Sequence, residues 1–215
     1  MKKAGAQGKM FDIDKIVTAL RTDPNMQRTA GAGAAGLAAG MLLGGGGLGK
    51  LAKYGALAAV GGLAYSAWQK SQQNKTPQGD TPPTDERFIP QAPSEREALG
   101  RTLVRAMIAA AKADGRVDAD EKERIFGRLE AMDLSAEEKA FVFDELATPL
   151  DLDAVVRGAD TPEHAAEIYA ASLVAITADT ASERAYLETL ANRLKLPAAL
   201  VTEIHAAADA EKAAP

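Results

Sequence analysis

Carboxylates gather at two places in this chain. The first is Ala113-Asp114-Gly115-Arg116-Val117-Asp118-Ala119-Asp120-Glu121, and the second is Ala178-Asp179-Thr180-Ala181-Ser182-Glu183. In each, an Asp closes one predicted helix and a Glu opens the next. Carboxylate oxygens are ligands for hard divalent cations, so the chemistry on offer is Ca²⁺ or Mg²⁺ binding. Asp114, Gly115, Val117, Asp118 and Glu121 have the spacing of the second half of an EF-hand loop. The first half is missing, because Ala110 and Lys112 stand where its carboxylates belong. Ca²⁺ takes about 6–8 oxygens. The first joint alone falls short, and Asp179 with Glu183 are the candidates to complete it. Four unpaired carboxylates held close would repel, and a hard cation would relieve that repulsion.

A second reading of the same residues needs no metal. Glu121 and Glu183 sit where the Glu of a capping box belongs, and Asp118 is a natural N-cap. Capping does not account for Asp114 and Asp179, whose charge near a helix C-terminus opposes the macrodipole. Asp120 and Glu123 are assigned to a solvated face.

Other chemistry has less to stand on. There are no cysteines, hence no disulfide, thiolate nucleophile or thiolate metal site. His164 and His205 fall in different predicted helices without zinc-site spacing, and both read as exposed surface residues. Asn192 and Ser172 have no His at a spacing that suggests a triad. The glycines at 44–47 lack the Lys-Ser/Thr of a phosphate loop. Glu188, Glu203 and the pair Glu137-Glu138 read as surface charges, and Tyr169 and Tyr186 as core or half-core residues with wet hydroxyls. No catalytic residues emerge, no small-molecule substrate is identified, and a non-enzymatic protein is expected.

The elements that would position the joints are helical. Ser94 precedes a helix with Leu99, Leu103, Met107 and Ala110 on one face, ending near Asp114 and Gly115. Asp118-x-x-Glu121 opens a second, carrying Ile125, Leu129 and Met132. Ser135-x-x-Glu138 opens a third, and Asp151 to Arg157 suits a short one. Thr161-Pro162 starts a long helix through Ile168, Leu173, Val174 and Ile176. Thr180-x-x-Glu183 starts another with Tyr186, Leu187, Leu190 and Leu194, and Pro197 starts the last. No run alternates as a strand would. The prediction for 94–212 is an all-α bundle of six or seven helices, read as a duplicated helix pair.

What precedes this domain differs in character. Residues 1–93 hold 11 Lys/Arg against 6 Asp/Glu, a net +5, and residues 94–215 hold 14 against 24, a net −10. The acidic half argues against nucleic acid, and the basic half fits anionic lipid. Residues 1–29 are a basic segment with a short amphipathic helix near Phe11–Leu20. Residues 30–70 are Gly/Ala-rich, with no charge over the 20 positions 30–49. Gly36, Gly40 and Gly44 share one helix face, a spacing that lets helices pack closely in lipid. A second apolar run ends in Tyr65 and Trp68, residues suited to a membrane–water interface. These features predict a membrane-associating segment, as a hairpin or as one span plus an interfacial stretch. Residues 71–93 carry five prolines and read as a linker.

The run Ala109-Ala110-Ala111-Lys112-Ala113-Asp114-Gly115-x-Val117-Asp118-x-x-Glu121, followed by Ala178-Asp179-x-x-x-Glu183-x-x-Tyr186-Leu187-x-x-Leu190-Ala191-x-x-Leu194, resembles the TerB-like fold of tellurite-resistance proteins. With the Gly/Ala-rich stretch through Trp68, it is similar to the YebE-like family of bacterial inner-membrane proteins of unknown function. The resemblance covers roughly 37–73 and 95–207. It implies an all-α duplicated fold and a divalent-cation site on Asp114, Glu121, Asp179 and Glu183. It also implies a role in membrane-linked stress or metal response at the inner membrane; the six Lys/Arg before residue 30 favour a cytoplasmic N-terminus, and the C-terminal domain is expected on the cytoplasmic side. Thr180 stands where the first joint has Gly115, so the second loop lacks the EF-like turn. The expectation is a membrane-anchored helical module that binds a divalent cation and engages lipid and a protein partner or a second copy. The alternative is a scaffold without an ion site, whose Gly-repeat segment drives membrane or self-association.

Overall fold

The stop and start signals of the sequence become helices closed by the caps its residues supply. The structure, a computed structural model, describes residues 56–73, 85–88, 90, 92–113, 115, 135–176, 178 and 180–213, and among these all regular structure is helical. In chain order the elements are α1 (Ala56–Gln73), the single turn α2 (Asp85–Phe88), α3 (Pro93–Ala111), α4 (Ala136–Ala147), α5 (Leu152–Arg157), α6 (Pro162–Val174), α7 (Ala181–Arg193) and α8 (Ala198–Ala213). The basic segment 1–29, the stripe of Gly36, Gly40 and Gly44, and the helix expected after Asp118 lie outside the described residues. Of the two expected helix pairs, the second is therefore seen whole, as α6 and α7.

At the start of α4, Ser135 Oγ accepts from the Glu138 N–H at 3.2 Å, and Glu138 Oε2 accepts from the Ser135 N–H at 2.7 Å. That is the reciprocal capping box its spacing predicts. Glu138 itself is buried, not the surface charge expected. Asp151 caps α5 through the Ala154 N–H, and Thr161 caps α6 through the His164 N–H. Pro162 takes the first helical position of α6, where its missing N–H leaves nothing unsatisfied. The start of α3 differs from expectation. Pro93 is already helical, and the N-cap is Ala92, not Ser94.

Helix α6 is the centre of the bundle. It packs against α3 most extensively, and also against α1, α8, α7 and α2. From Ala165 to Val174 every residue is buried, so no face remains for water. Ala165, Ala166, Ala170 and Ala171 let the neighbouring backbones come close, and Ile168 and Leu173 fill the space between. Full burial of an Ile or Leu side chain contributes about 1.5–3 kcal/mol. Ile168, Leu103, Leu190 and Ile204 all reach it. A second close approach lies between α3 and α5. A Cβ at Gly158 would run into the Thr102 side chain, so the end of α5 requires glycine there.

Helix α1 changes the reading of the apolar run that ends at Trp68. It lies against α8 and α6, with Val60, Ala64 and Ala67 buried. Tyr65 and Trp68 meet the Phe88 ring of α2 edge-on, with centroids 5.5 and 6.0 Å away. Residues 56–73 thus contribute to the same core as α3 to α8, across the Pro-rich stretch expected to divide two domains. No described helix is long and apolar enough to cross a membrane. Small apolar side chains suit a protein core as well as lipid, so composition alone does not separate the two environments.

Candidate functional site

The second joint is built where α6 runs out. The helix ends at Val174, Ile176 is fully buried, and Thr180 caps α7. Between them Ala178 has φ +56°, a left-handed conformation that costs an L-residue with a Cβ roughly 1–2 kcal/mol. Its carbonyl accepts from Arg184 Nη1 at 3.3 Å. The first joint makes its own positive-φ turn with Gly115 at +154°, after α3 has ended at Ala111.

Glu183 lies within this joint, 1% exposed. Its Oε2 accepts from the Thr180 N–H at 3.1 Å and from the Thr180 hydroxyl at 2.9 Å. The Glu183 N–H in turn donates to Thr180 Oγ1 at 3.1 Å. The capping box that the sequence predicts is therefore complete. It occupies only one carboxylate oxygen. Oε1 is buried with no hydrogen-bond partner. A buried polar atom of this kind carries a desolvation cost of about 1–3 kcal/mol, more when the group is charged. An added positive charge or donor is what would offset it.

Glu183 is the one predicted ligand that the structure describes. Asp114, Glu121 and Asp179 lie outside the described residues. Among those described, no group of three or more His, Asp or Glu side chains is placed to hold a metal ion. Helix α7, which Thr180 and Glu183 open, packs against α3, the helix that leads into the first joint.

Sequence reasoning missed a second buried acid. Glu167, in the middle of α6, is fully buried, and neither of its carboxylate oxygens has a partner. Burial, and secondarily the charge of Glu163, push its pKa up to about 9. Glu163, one turn earlier, is buried and pairs with Arg87 of α2 at 3.0 Å. The available signal was that Glu163 and Glu167 are the only two carboxylates in a helix otherwise made of Ala, Ile, Leu and Val with one Pro, one His, one Tyr and one Ser.

The tyrosines and His205 also sit deeper than expected. Tyr169 Oη lies 2.9 Å from His205 Nε2, and His205 is half-buried, not superficial. Tyr186 Oη lies 3.3 Å from Ser172 Oγ, so this hydroxyl is bonded to protein and not to solvent. Burial pushes both phenols up to about 12. Away from the joints, α3, α4 and α5 border an open cleft of about 380 Å³. Its cations are engaged locally. Arg105 pairs with Glu145 at 2.6 Å, and Lys112 donates to the Glu145 and Thr148 carbonyls that end α4.

The described residues form an all-helical bundle, and the match to a family model places the chain in the TerB-like class. Within that class the chain belongs to the family described as "Protein of unknown function (DUF533)", whose model matches residues 27–208. It is 32% identical over 95 residues to the "Uncharacterized protein in ampR 5'region" of Yersinia enterocolitica, an overlap covering 44% of this chain and 68% of that protein. No solved structure is significantly similar.

Proposed function

We propose that this protein is a membrane-anchored, non-enzymatic helical module whose two acidic joints hold one divalent cation. The observation that carries the reading is Glu183 Oε1, buried and unpartnered at the second joint while Oε2 closes the helix cap. A carboxylate that needed only to cap α7 has no use for an oxygen kept dry. Oε1 would be one ligand, and Asp179, Asp114 and Glu121 would supply the remaining carboxylates. The packing of α7 on α3 supports a close approach of the joints. A bound Ca²⁺ or Mg²⁺ would supply a positive charge for the unpartnered Glu183 Oε1. Ca²⁺ suits an irregular oxygen cage better than Mg²⁺ does. Occupancy would stiffen the α6–α7 and post-α3 turns together and so set the surface offered to a protein partner or a second copy.

The uncharged stretch 30–49, with Gly36, Gly40 and Gly44 spaced four residues apart and basic residues before it, supports lipid association at an inner membrane with the bundle on the cytoplasmic side.

The test is thermal unfolding of the full chain in EDTA and then in Ca²⁺ or Mg²⁺, beside the Asp114→Asn/Asp179→Asn double variant. A cation at about 100 times its Kd stabilises the fold by about 2.7 kcal/mol. The wild type is expected to gain a clear rise in Tm that the double variant lacks. No rise with either ion would leave the joints as caps and make the chain a scaffold.

A further inference from the structure

We propose that docking of α1 and α2 onto α6 is coupled to a proton on Glu167, so that this N-terminal cover holds tightest in acid and loosens as pH rises. This is independent of the cation reading.

Glu163 and Glu167 are four residues apart on α6, which puts them on one face, one turn from each other. The α2 turn clips onto that face. Arg87 pairs with Glu163, and Phe88, 1% exposed, sits edge-on to Tyr65 and Trp68 of α1. α1 in turn packs on α6 and α8. Three buried polar atoms on these packed helices have no partners: both Glu167 oxygens on α6 and the Trp68 Nε1 on α1. A neutral carboxylic acid tolerates such a place far better than a carboxylate does.

Among the described side chains, no charged group on the helices around Glu167 is bonded to its carboxyl. On its own helix, Glu163 pairs with Arg87 and His164 is half-buried. α2 offers Arg87, already taken by Glu163. On α1 the one charged group is Lys70, which is exposed. α8 presents His205, bonded to Tyr169. α3 presents Arg101 and Arg105, both over the Phe141 ring of α4. α7 presents Tyr186 on Ser172, and Glu183 in its cap. A charge on Glu167 would therefore stand unpaired beside Glu163, and lifting the α1–α2 cover would let water reach it.

The sign follows from linkage. The carboxyl is raised from 4.5 to about 9 when docked. Between those limits the docked state holds one more proton than the open state, so docking weakens with rising pH. It is at full strength below the open-state value, and the loss is complete once pH has passed the docked value. One proton corresponds to about a tenfold rise in the opening constant per pH unit.

The experiment is hydrogen exchange on the full chain from pH 6 to 9, corrected for intrinsic rates, with emission of Trp68, the chain's one tryptophan, as a second readout. The expected result is that opening of α1 rises about tenfold per pH unit, while amides of α7 stay level. Glu167→Gln, which cannot ionise, is expected to make α1 level too. Glu167→Leu serves the same purpose if the amide variant does not fold. The proposal is overturned if α1 protection in the wild type is independent of pH, if α7 loosens in step with α1, or if the folded variant keeps the wild-type slope.

Discussion

Two helices in this protein open with the same device, and the two capping boxes do not end alike. At α4 and α7 a Ser or Thr side chain accepts from the third residue's N–H, and a Glu reaches back to the cap N–H. Glu138 and Glu183 are both buried. Glu138 has no oxygen that is at once buried and unpartnered, whereas Glu183 has Oε1. The α4 box is what helix capping alone requires. The α7 box does the same work and keeps an acidic oxygen dry at a joint of the bundle. The difference shows why a motif that explains a residue's position does not explain all of its chemistry.

The sharpest way to break that comparison is to neutralise each glutamate. Glu183→Gln is expected to abolish the cation-dependent stabilisation of about 2.7 kcal/mol at 100 times Kd. Glu138→Gln should leave it intact. Thermal unfolding with and without Ca²⁺ reads both, and equal responses from the two variants would erase the distinction.

Removing the cap hydroxyls separates the boxes more mildly. Ser135→Ala and Thr180→Ala should each cost about 1 kcal/mol in urea unfolding. Thr180→Ala is expected to cost the more, because Glu183 Oε2 then loses the hydroxyl that donates to it at 2.9 Å. Effects of similar size and opposite sign are expected at the two turns. Ala178→Gly relieves a left-handed alanine and should stabilise by up to about 1 kcal/mol. Gly115→Ala should destabilise by about 1 kcal/mol or more, since φ +154° suits glycine alone. Chemical denaturation of the two variants checks the pair of signs.

The helical fold was legible wherever local chemistry sets a boundary. Ser135 with Glu138, Thr180 with Glu183, and Thr161 with Pro162 each name a helix start, and each cap forms as its spacing implies. Helix α1 was not legible. Its alanines, glycines and terminal aromatics are what a membrane segment also uses, and only the presence of α6 and α8 decides where they are buried. Glu167 was hidden for a related reason. A single Glu in a helix usually marks the wet face, but α6 has no wet face along its central length, because five other elements close around it. The metal reading of Glu183 came from its company of acids in the sequence. The structure adds its burial and the unpartnered oxygen, which spacing does not reveal.

The central claim is that the acidic joints bind a divalent ion. The direct measurement is a calorimetric titration of the EDTA-stripped full chain with Ca²⁺, repeated with Mg²⁺ and with Glu183→Gln. The expected result is a saturable heat for one ion per wild-type chain, strongly reduced in the variant. Absence of a saturable heat with either ion, or an unchanged isotherm in Glu183→Gln, would contradict it and return Glu183 to the role of a helix cap.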